Sequence, residues 1–451
     1  MTHHTVIVLS LAGFSPSLLT SGNCPAIAAY AETCGWSAMT PALPALTLPM
    51  QATLTTGAVP GEHGIVANGF FDRNYLEHRF WSASSGLLDR HRVFEPSQGA
   101  DHRGVRPDPK VAALFWWNFL GADLRAYLNV APFHLADGST RSSCASRPAG
   151  LYAELESKLG PFPLHRFWGP MVTIESSQWI LDATLEVAER IQPHLLLSYL
   201  PHMDYAQQHS GPHSSETAQD LRDLDALLAP VIERAQAGDW KLVLLSEYGI
   251  MPVSRPVTPN RALRAEGLFQ VRRLDRREHP DLAGSRAFAI CDHQIAHVYV
   301  AQEADAASVR RILEGLPGVS RVLDRAAQTR EGLGHHRSGD LVLLSAPDAW
   351  FAYPWWTEDE AAPDYAATID IHRKIGYDPL ELILDRHTKA IAQDASLIKG
   401  SHGLVPVGAE YKPLVISPYW GAKYSDPPGE IHAVEVADLL MNLLDHCREA
   451  Q

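Results

Sequence analysis

The chain has 451 residues, a formal net charge of −14 and no basic block, which argues against the backbone of a nucleic-acid duplex as its main partner. Apolar residues make up 46% and charged residues 20%. That is ordinary globular composition, and the length suits two or three domains or one large α/β domain with an insertion. Five scattered cysteines, with no Cys-x-x-Cys pair, support neither a disulfide framework nor a cysteine zinc knuckle.

The amino-terminal segment MTHHTVIVLSLAGF has a short apolar run and no basic leader, so it does not read as a signal peptide. No apolar stretch reaches membrane-spanning length, and the expected location is the cytoplasm. Residues 5–11 form a β-branched apolar run that predicts a buried parallel strand. A helix is expected near 16–34, another near 50–56, a helical stretch over 111–120 and a strand over 124–130. An amphipathic helix over 178–191 leads to a strand over 194–200, a helix over 218–237 and the strand LVLLS near 242–246. Beyond residue 250 the texture changes. Strands are expected over 287–292, 295–300, 319–323 and 341–345, with a helix near 304–313 and an aromatic stretch AWFAYPWW over 349–356 that suits cap packing. A strand near 414–417 and a closing helix over 432–444 return to core texture. Alternating strands and helices predict a three-layer α/β/α sandwich around a central, mostly parallel sheet with an inserted cap. The expected division is 1–250 and 386–451 for the core and 251–385 for the cap.

Ligands of such sheets bind outside the carboxyl ends of the strands. That points to Ala12, to His202-Met203-Asp204 and to Glu247-Tyr248-Gly249, which follow three predicted strands. The segment TLPMQATLTTGAVPGEHGIVAN carries the strongest chemical signal. Thr47 stands two residues before Pro49, so its hydroxyl can sit at a helix mouth, where unpaired N–H groups and the helix dipole favour an anion. The glycine-framed loop that follows brings Asn68 as an amide donor. A hydroxyl beside an anion site is the start of a phosphoryl-transfer centre.

Taken together, VIVLSLAGF, PALPALTLPMQATLTTGAVPGEHGIVANGFFD, YLPHMDYAQQHSGP, LVLLSEYGIMPV, HRSGDLVLLS and GSHG followed by PLVIS resemble the alkaline phosphatase superfamily, in its type I nucleotide pyrophosphatase/phosphodiesterase branch. Order and spacing match from about residue 5 to the end, with the cap matching least. The resemblance implies an alkaline phosphatase-like fold and two Zn²⁺ ions clamping one phosphate group. Position by position, it implies Thr47 as nucleophile, Asn68 as the amide that contacts phosphate oxygens, and Asp204 and His402 as metal ligands.

Four other expected ligands differ. Ala12 stands where an aspartate is expected after the first strand. Gln208 stands for a histidine one helical turn after Asp204, with His209 adjacent. Glu247-Tyr248 replaces an Asp-His pair. Zinc takes about four nitrogen, sulfur or carboxylate ligands, so the expectation is a reduced or rebuilt site. A single divalent ion (Zn, Mn or Mg) on Asp204, Glu247 and His402 would serve. Asp292-His293 with His297, the pair Asp370 and His372 (same-facing if on a strand) and His335-His336 are spare groups that could complete it. Arg337 and Lys399 are candidate phosphate partners.

The resemblance therefore implies metal-dependent hydrolysis of a phosphate ester, phosphodiester or pyrophosphate through Thr47. The alternative is a catalytically inactive pseudoenzyme that binds a phosphorylated ligand or a protein partner, and a phosphomutase is a weaker third reading. The expected partner is a small phosphorylated substrate, with no membrane and with a homo-oligomer left open.

Overall fold

The computed structural model describes residues 5–95, 110–420 and 426–449, with the side chains from Cys447 onward left aside. Its centre is a nine-stranded mixed sheet. Val6–Leu11 lies in the middle, parallel to Leu195–Leu200 on one side and to Lys241–Leu245 on the other. Val111–Leu114 and Ala126–Val130 extend the parallel run, and Cys144–Arg147 closes that edge antiparallel. At the other edge Leu414–Ile416 joins antiparallel, followed by Trp36–Thr40 and Glu430–His432.

These strands read as unbroken apolar runs because both faces are covered. Successive side chains of Val6–Leu11 enter different cores. Ile7, Leu9 and Leu11 meet the helices Pro25–Cys34, Leu151–Leu159, Glu175–Ile191 and Ser215–Gln236, whereas Val6 and Val8 meet Thr47–Thr56 and Ala433–Glu449. The three layers follow from that period of two.

A second, four-stranded antiparallel sheet is built from Ala287–Asp292, Ile295–Val300, Leu341–Ser345 and Val319–Leu323. Within AWFAYPWW, Phe351, Trp355 and Trp356 are buried in the core of this region, and Trp350 is buried in a separate cluster with Val253 and Leu380. Among the described residues no helix is long and apolar enough to cross a membrane.

Three local expectations are corrected. Residues 16–34 form two helices, Pro16–Leu19 and Pro25–Cys34, separated by a Ser-Gly-Asn turn. The stretch 111–120 is the strand Val111–Leu114 and a following loop, not a helix. Asp370 and His372 do not share a strand. Asp370 accepts the backbone N–H groups of His372 and Arg373, so the segment is a turn and the same-face argument does not hold.

Candidate active site

The carboxyl ends of the parallel strands lie at one edge of the sheet, because Leu11 is in register with Leu200 and Ser10 with Leu245. This edge collects the residues of interest. Thr47 is the first residue of helix Thr47–Thr56, after an extended Leu46, and the helix is buried from Thr47 to Thr55. One turn on, Gln51 shares the face of Thr47. Its amide nitrogen donates to Glu247 Oε1 at 2.7 Å and its carbonyl accepts the backbone N–H of Trp117 at 2.7 Å.

Thr47 Oγ1 lies 3.4 Å from the Tyr248 hydroxyl, which donates to Asp204 Oδ1 at 3.2 Å. The other oxygen of Asp204 accepts from the Gln208 amide, which in turn accepts from the Tyr377 hydroxyl at 3.0 Å. His402 Nδ1 lies 2.8 Å from the carbonyl of Ala45. A carbonyl only accepts, so Nδ1 carries the proton. Nε2 is left as an acceptor, 3.9 Å from Asp204 Oδ1.

The second sheet reaches this edge through the tip of its first hairpin. Asp292 pairs with Ile295, so His293 and Gln294 form a two-residue turn, and His293 takes φ +58° there. Such turns call for left-handed backbone, which a non-glycine residue seldom adopts. The turn aims the imidazole at the core. Its ring stacks on Tyr377 (centroids 3.8 Å, planes 20° apart) and leans on His402 (3.9 Å), which lies flat on Tyr248 (3.5 Å, 4°). Four rings thus form one column. Asp292 accepts from the Asn68 backbone (2.8 Å) and side chain (3.2 Å), while Asn68 Oδ1 caps the Leu48 N–H at 3.0 Å. Asn68 therefore ties the helix mouth to the hairpin.

Burial sets the electrostatics. It pushes Asp204 up to about 7 against the hydrogen bonds from Tyr248 and Gln208, Glu247 up to about 7 against Gln51, and Asp292 up to about 7 against Asn68. For Asp204 this is a bias of about 4 kcal/mol toward the neutral acid. Burial also drives His293 down to about 3 and His402 well below its usual range, with His293 adding to the latter. The centre is a set of carboxyls and imidazoles met by neutral donors, with Glu247 Oε2 left buried and without a hydrogen-bond partner.

The structure unites Thr47, Asn68, Asp204, Glu247, Asp292, His293 and His402 at this edge. It does not bring in the rest. Gln208 faces Asp204 because it lies at i+4, whereas His209 at i+5 turns away to Ser210. Asp370 pairs with Arg373, and the exposed His372 gives its carbonyl to His78. His297 Nδ1 accepts from the Gly339 N–H. Arg337 is spent on the carbonyls of Gly64 and Leu87, and Lys399 on that of Ser396. The helix mouth is also occupied: Leu48 N–H is capped, Pro49 has none, and Met50 N–H bonds Leu46. Sequence reasoning expected the backbone N–H groups of Met50 and Gln51 to hold phosphate charge and missed the Gln51 side chain and Tyr377. The i, i+4 spacing from Thr47 was a usable signal for Gln51, while nothing local marked Tyr377.

The family's pair of metal ions does not fit these residues. Ala12 has no donor, and the hydroxyl of Tyr248 and the amide of Gln208 are both turned onto Asp204. Among the described residues, two groups of three ligand-type side chains converge, Asp89 with His335 and His336, and His202 with Asp220 and Asp223. Neither contains Asp204, Glu247 or His402.

A mixed central sheet with helices on both faces is the alkaline phosphatase-like fold. The chain belongs to the type I phosphodiesterase/nucleotide pyrophosphatase family, whose model matches residues 6–378. It is 25% identical over 297 residues to an uncharacterized pyrophosphatase/phosphodiesterase of Schizosaccharomyces pombe, covering 64% of this chain and 53% of that protein. It is 26% identical over 305 residues to ectonucleotide pyrophosphatase/phosphodiesterase 1 of Saccharomyces cerevisiae, covering 62% and 38%. The chain thus spans about half or less of the length of these curated relatives. Among solved structures, phosphonoacetate hydrolase of Sinorhizobium meliloti 1021 in complex with phosphonoformate superposes with a TM-score of 0.61 at 17% identity, covering 98% of this chain and 96% of that one. Murine ectonucleotide pyrophosphatase/phosphodiesterase 5 gives 0.60 at 16% identity, covering 98% and 95%. At these identities the two structures support the fold.

Proposed function

We propose that the chain hydrolyses a phosphate ester, phosphodiester or pyrophosphate at Thr47, activated by a hydrogen-bonded relay instead of a pair of metal ions. The observation that carries this reading is the continuous path from Thr47 Oγ1 through the Tyr248 hydroxyl to Asp204 Oδ1, at 3.4 and 3.2 Å. As Thr47 attacks phosphorus, its proton passes to the phenol oxygen and the phenol proton to the carboxylate. The bond from phosphorus to the leaving oxygen breaks, and water then releases the phosphate from Thr47. Asn68 would hold the helix mouth and the His293 hairpin in register. The family supports the reaction class, and the relay supplies a base in place of the missing ligands.

Asp204 serves as base only when ionised, above about pH 7, while neutral Glu247 and Asp292 favour an anionic substrate below it. Turnover is therefore expected in a narrow window near pH 7. The test is hydrolysis of bis(4-nitrophenyl) phosphate and 4-nitrophenyl phosphate by the full chain in excess chelator. Turnover should persist with chelator and vanish in Thr47→Ala. Full activity in Thr47→Ala, or its abolition by chelator, overturns the relay.

A second reading, an inactive family member that binds a phosphorylated ligand, is favoured by one observation: the donors of Asn68, Gln51, Gln208 and the helix mouth are already engaged within the protein. Absence of turnover in the wild-type chain over pH 5–9, together with retained binding of inorganic phosphate, would select it.

A further inference from the structure

The helix His202–His209 turns Asp204 toward the ring column but shows its first residue to the neighbouring helix Ser215–Gln236. His202 is 4% exposed, and neither of its ring nitrogens makes a hydrogen bond. A buried imidazole with both nitrogens unsatisfied is costly unless something else meets it. What faces it is a pair of carboxylates, Asp220 and Asp223, one turn apart on the same helix face. One ligand atom from each of the three residues lies within 4.8 Å of the others.

The spacing is informative. Asp220 Oδ1 stands 3.4 Å from His202 Nε2, outside the usual hydrogen-bond range. Two ligands bound about 2.1 Å from one tetrahedral ion stand about 3.4 Å apart. Gln219 holds Asp223 Oδ1 at 2.8 Å, which orients the carboxylate. Among the described residues neither Asp220 nor Asp223 pairs with a lysine or arginine. Burial, with Asp223 and Glu216 adding repulsion, pushes Asp220 up to about 7, and burial pushes His202 down to about 4. The Asp220 side chain is 23% exposed, which leaves solvent a way in.

We propose that His202, Asp220 and Asp223 bind one divalent transition-metal ion of the zinc type, completed by water, which clips the start of helix His202–His209 to helix Ser215–Gln236. A nitrogen with two carboxylate oxygens and an open position suits such an ion. The other converging group differs. There His335 Nε2 already bonds Asp89 at 2.8 Å and Arg337 approaches the same carboxylate, so two of the three are satisfied without a cation.

The test uses the full chain stripped with chelator and titrated with Zn²⁺ by calorimetry, with Co²⁺ absorption as a report on ligand type. One ion should bind, and Tm should rise with free Zn²⁺ because the ion favours the folded state. Asp223→Asn, at a partly exposed position, and His202→Gln should each weaken binding about tenfold or more. His336→Gln should leave it unchanged. Wild-type affinity in Asp223→Asn, loss of binding in His336→Gln, or no binding up to millimolar Zn²⁺ overturns the proposal. None of these readouts depends on turnover.

Discussion

Two buried acidic clusters in this molecule are solved in opposite ways. Around Lys374, which is 1% exposed, Asp378 and Glu381 each place an oxygen 2.7 Å from the ammonium, and the Thr368 carbonyl takes another proton at 2.9 Å. Burial alone would lower the lysine pKa, but the two carboxylates outweigh it and raise it. Here a buried negative charge is met by a positive one. At the sheet edge, Asp204, Glu247 and Asp292 are met by phenol and amide donors instead. A neutral donor recovers only about 1–3 kcal/mol of what a carboxylate loses on leaving water, so these three rise to about 7. The difference separates architecture from reactivity. The two carboxylates hold Lys374 charged, and the sheet-edge cluster can change its own charge near neutral pH.

The contrast can be broken from the lysine side first. Lys374→Met leaves two buried carboxylates without a counter-ion and should cost about 3–5 kcal/mol, read from the denaturant midpoint. A loss below about 1 kcal/mol would mean that the ammonium is not what holds them. The next largest effect sharpens the other side. Glu247 has its ordinary value of 4.5 when unfolded and about 7 when folded. Its contribution to stability is present below the unfolded value and is lost as pH rises through the folded one. Glu247→Gln removes that loss. Relative to wild type, the variant should gain up to about 3 kcal/mol between pH 4.5 and pH 8. Parallel stability profiles for the two proteins would show Glu247 ionised throughout. The smallest change is Tyr248→Phe, which deletes one hydroxyl. It should cost about 1 kcal/mol in stability, while turnover falls far more steeply because the path from Thr47 to Asp204 is cut. Equal turnover in wild type and Tyr248→Phe would remove the phenol from the relay.

The layers of the fold were legible in runs such as VIVLSL and LVLLS, because a strand buried on both faces needs no polar alternation. The errors came where short apolar runs carry little period. Val111–Leu114 and its tryptophans fit a helix as well as a strand, and only pairing with Leu195–Leu200 decides. At the site, Asp204 and Glu247 could be placed at one edge by the strand-end rule and Thr47 at a helix mouth by its proline, and residue identity marked the loss of ligands at Ala12, Gln208 and Tyr248. What replaced them could not be read, since the partners are distant in the chain: Tyr377 meets Gln208 across 169 positions and Asn68 meets Asp292 across 224. The Asp370 and His372 pairing failed for a local reason, a side-chain-stabilised turn where a strand was assumed.

The left-handed turn at His293 has a consequence for how this molecule could change over time. Because that imidazole sits on a hairpin of the second sheet, Tyr377 follows a segment bridged to it at Gly376, and Tyr248 follows a strand of the central sheet, the ring column joins the two sheets. The second sheet is therefore no interchangeable cover, since its removal would strip out half the column and bare carboxyl groups to water.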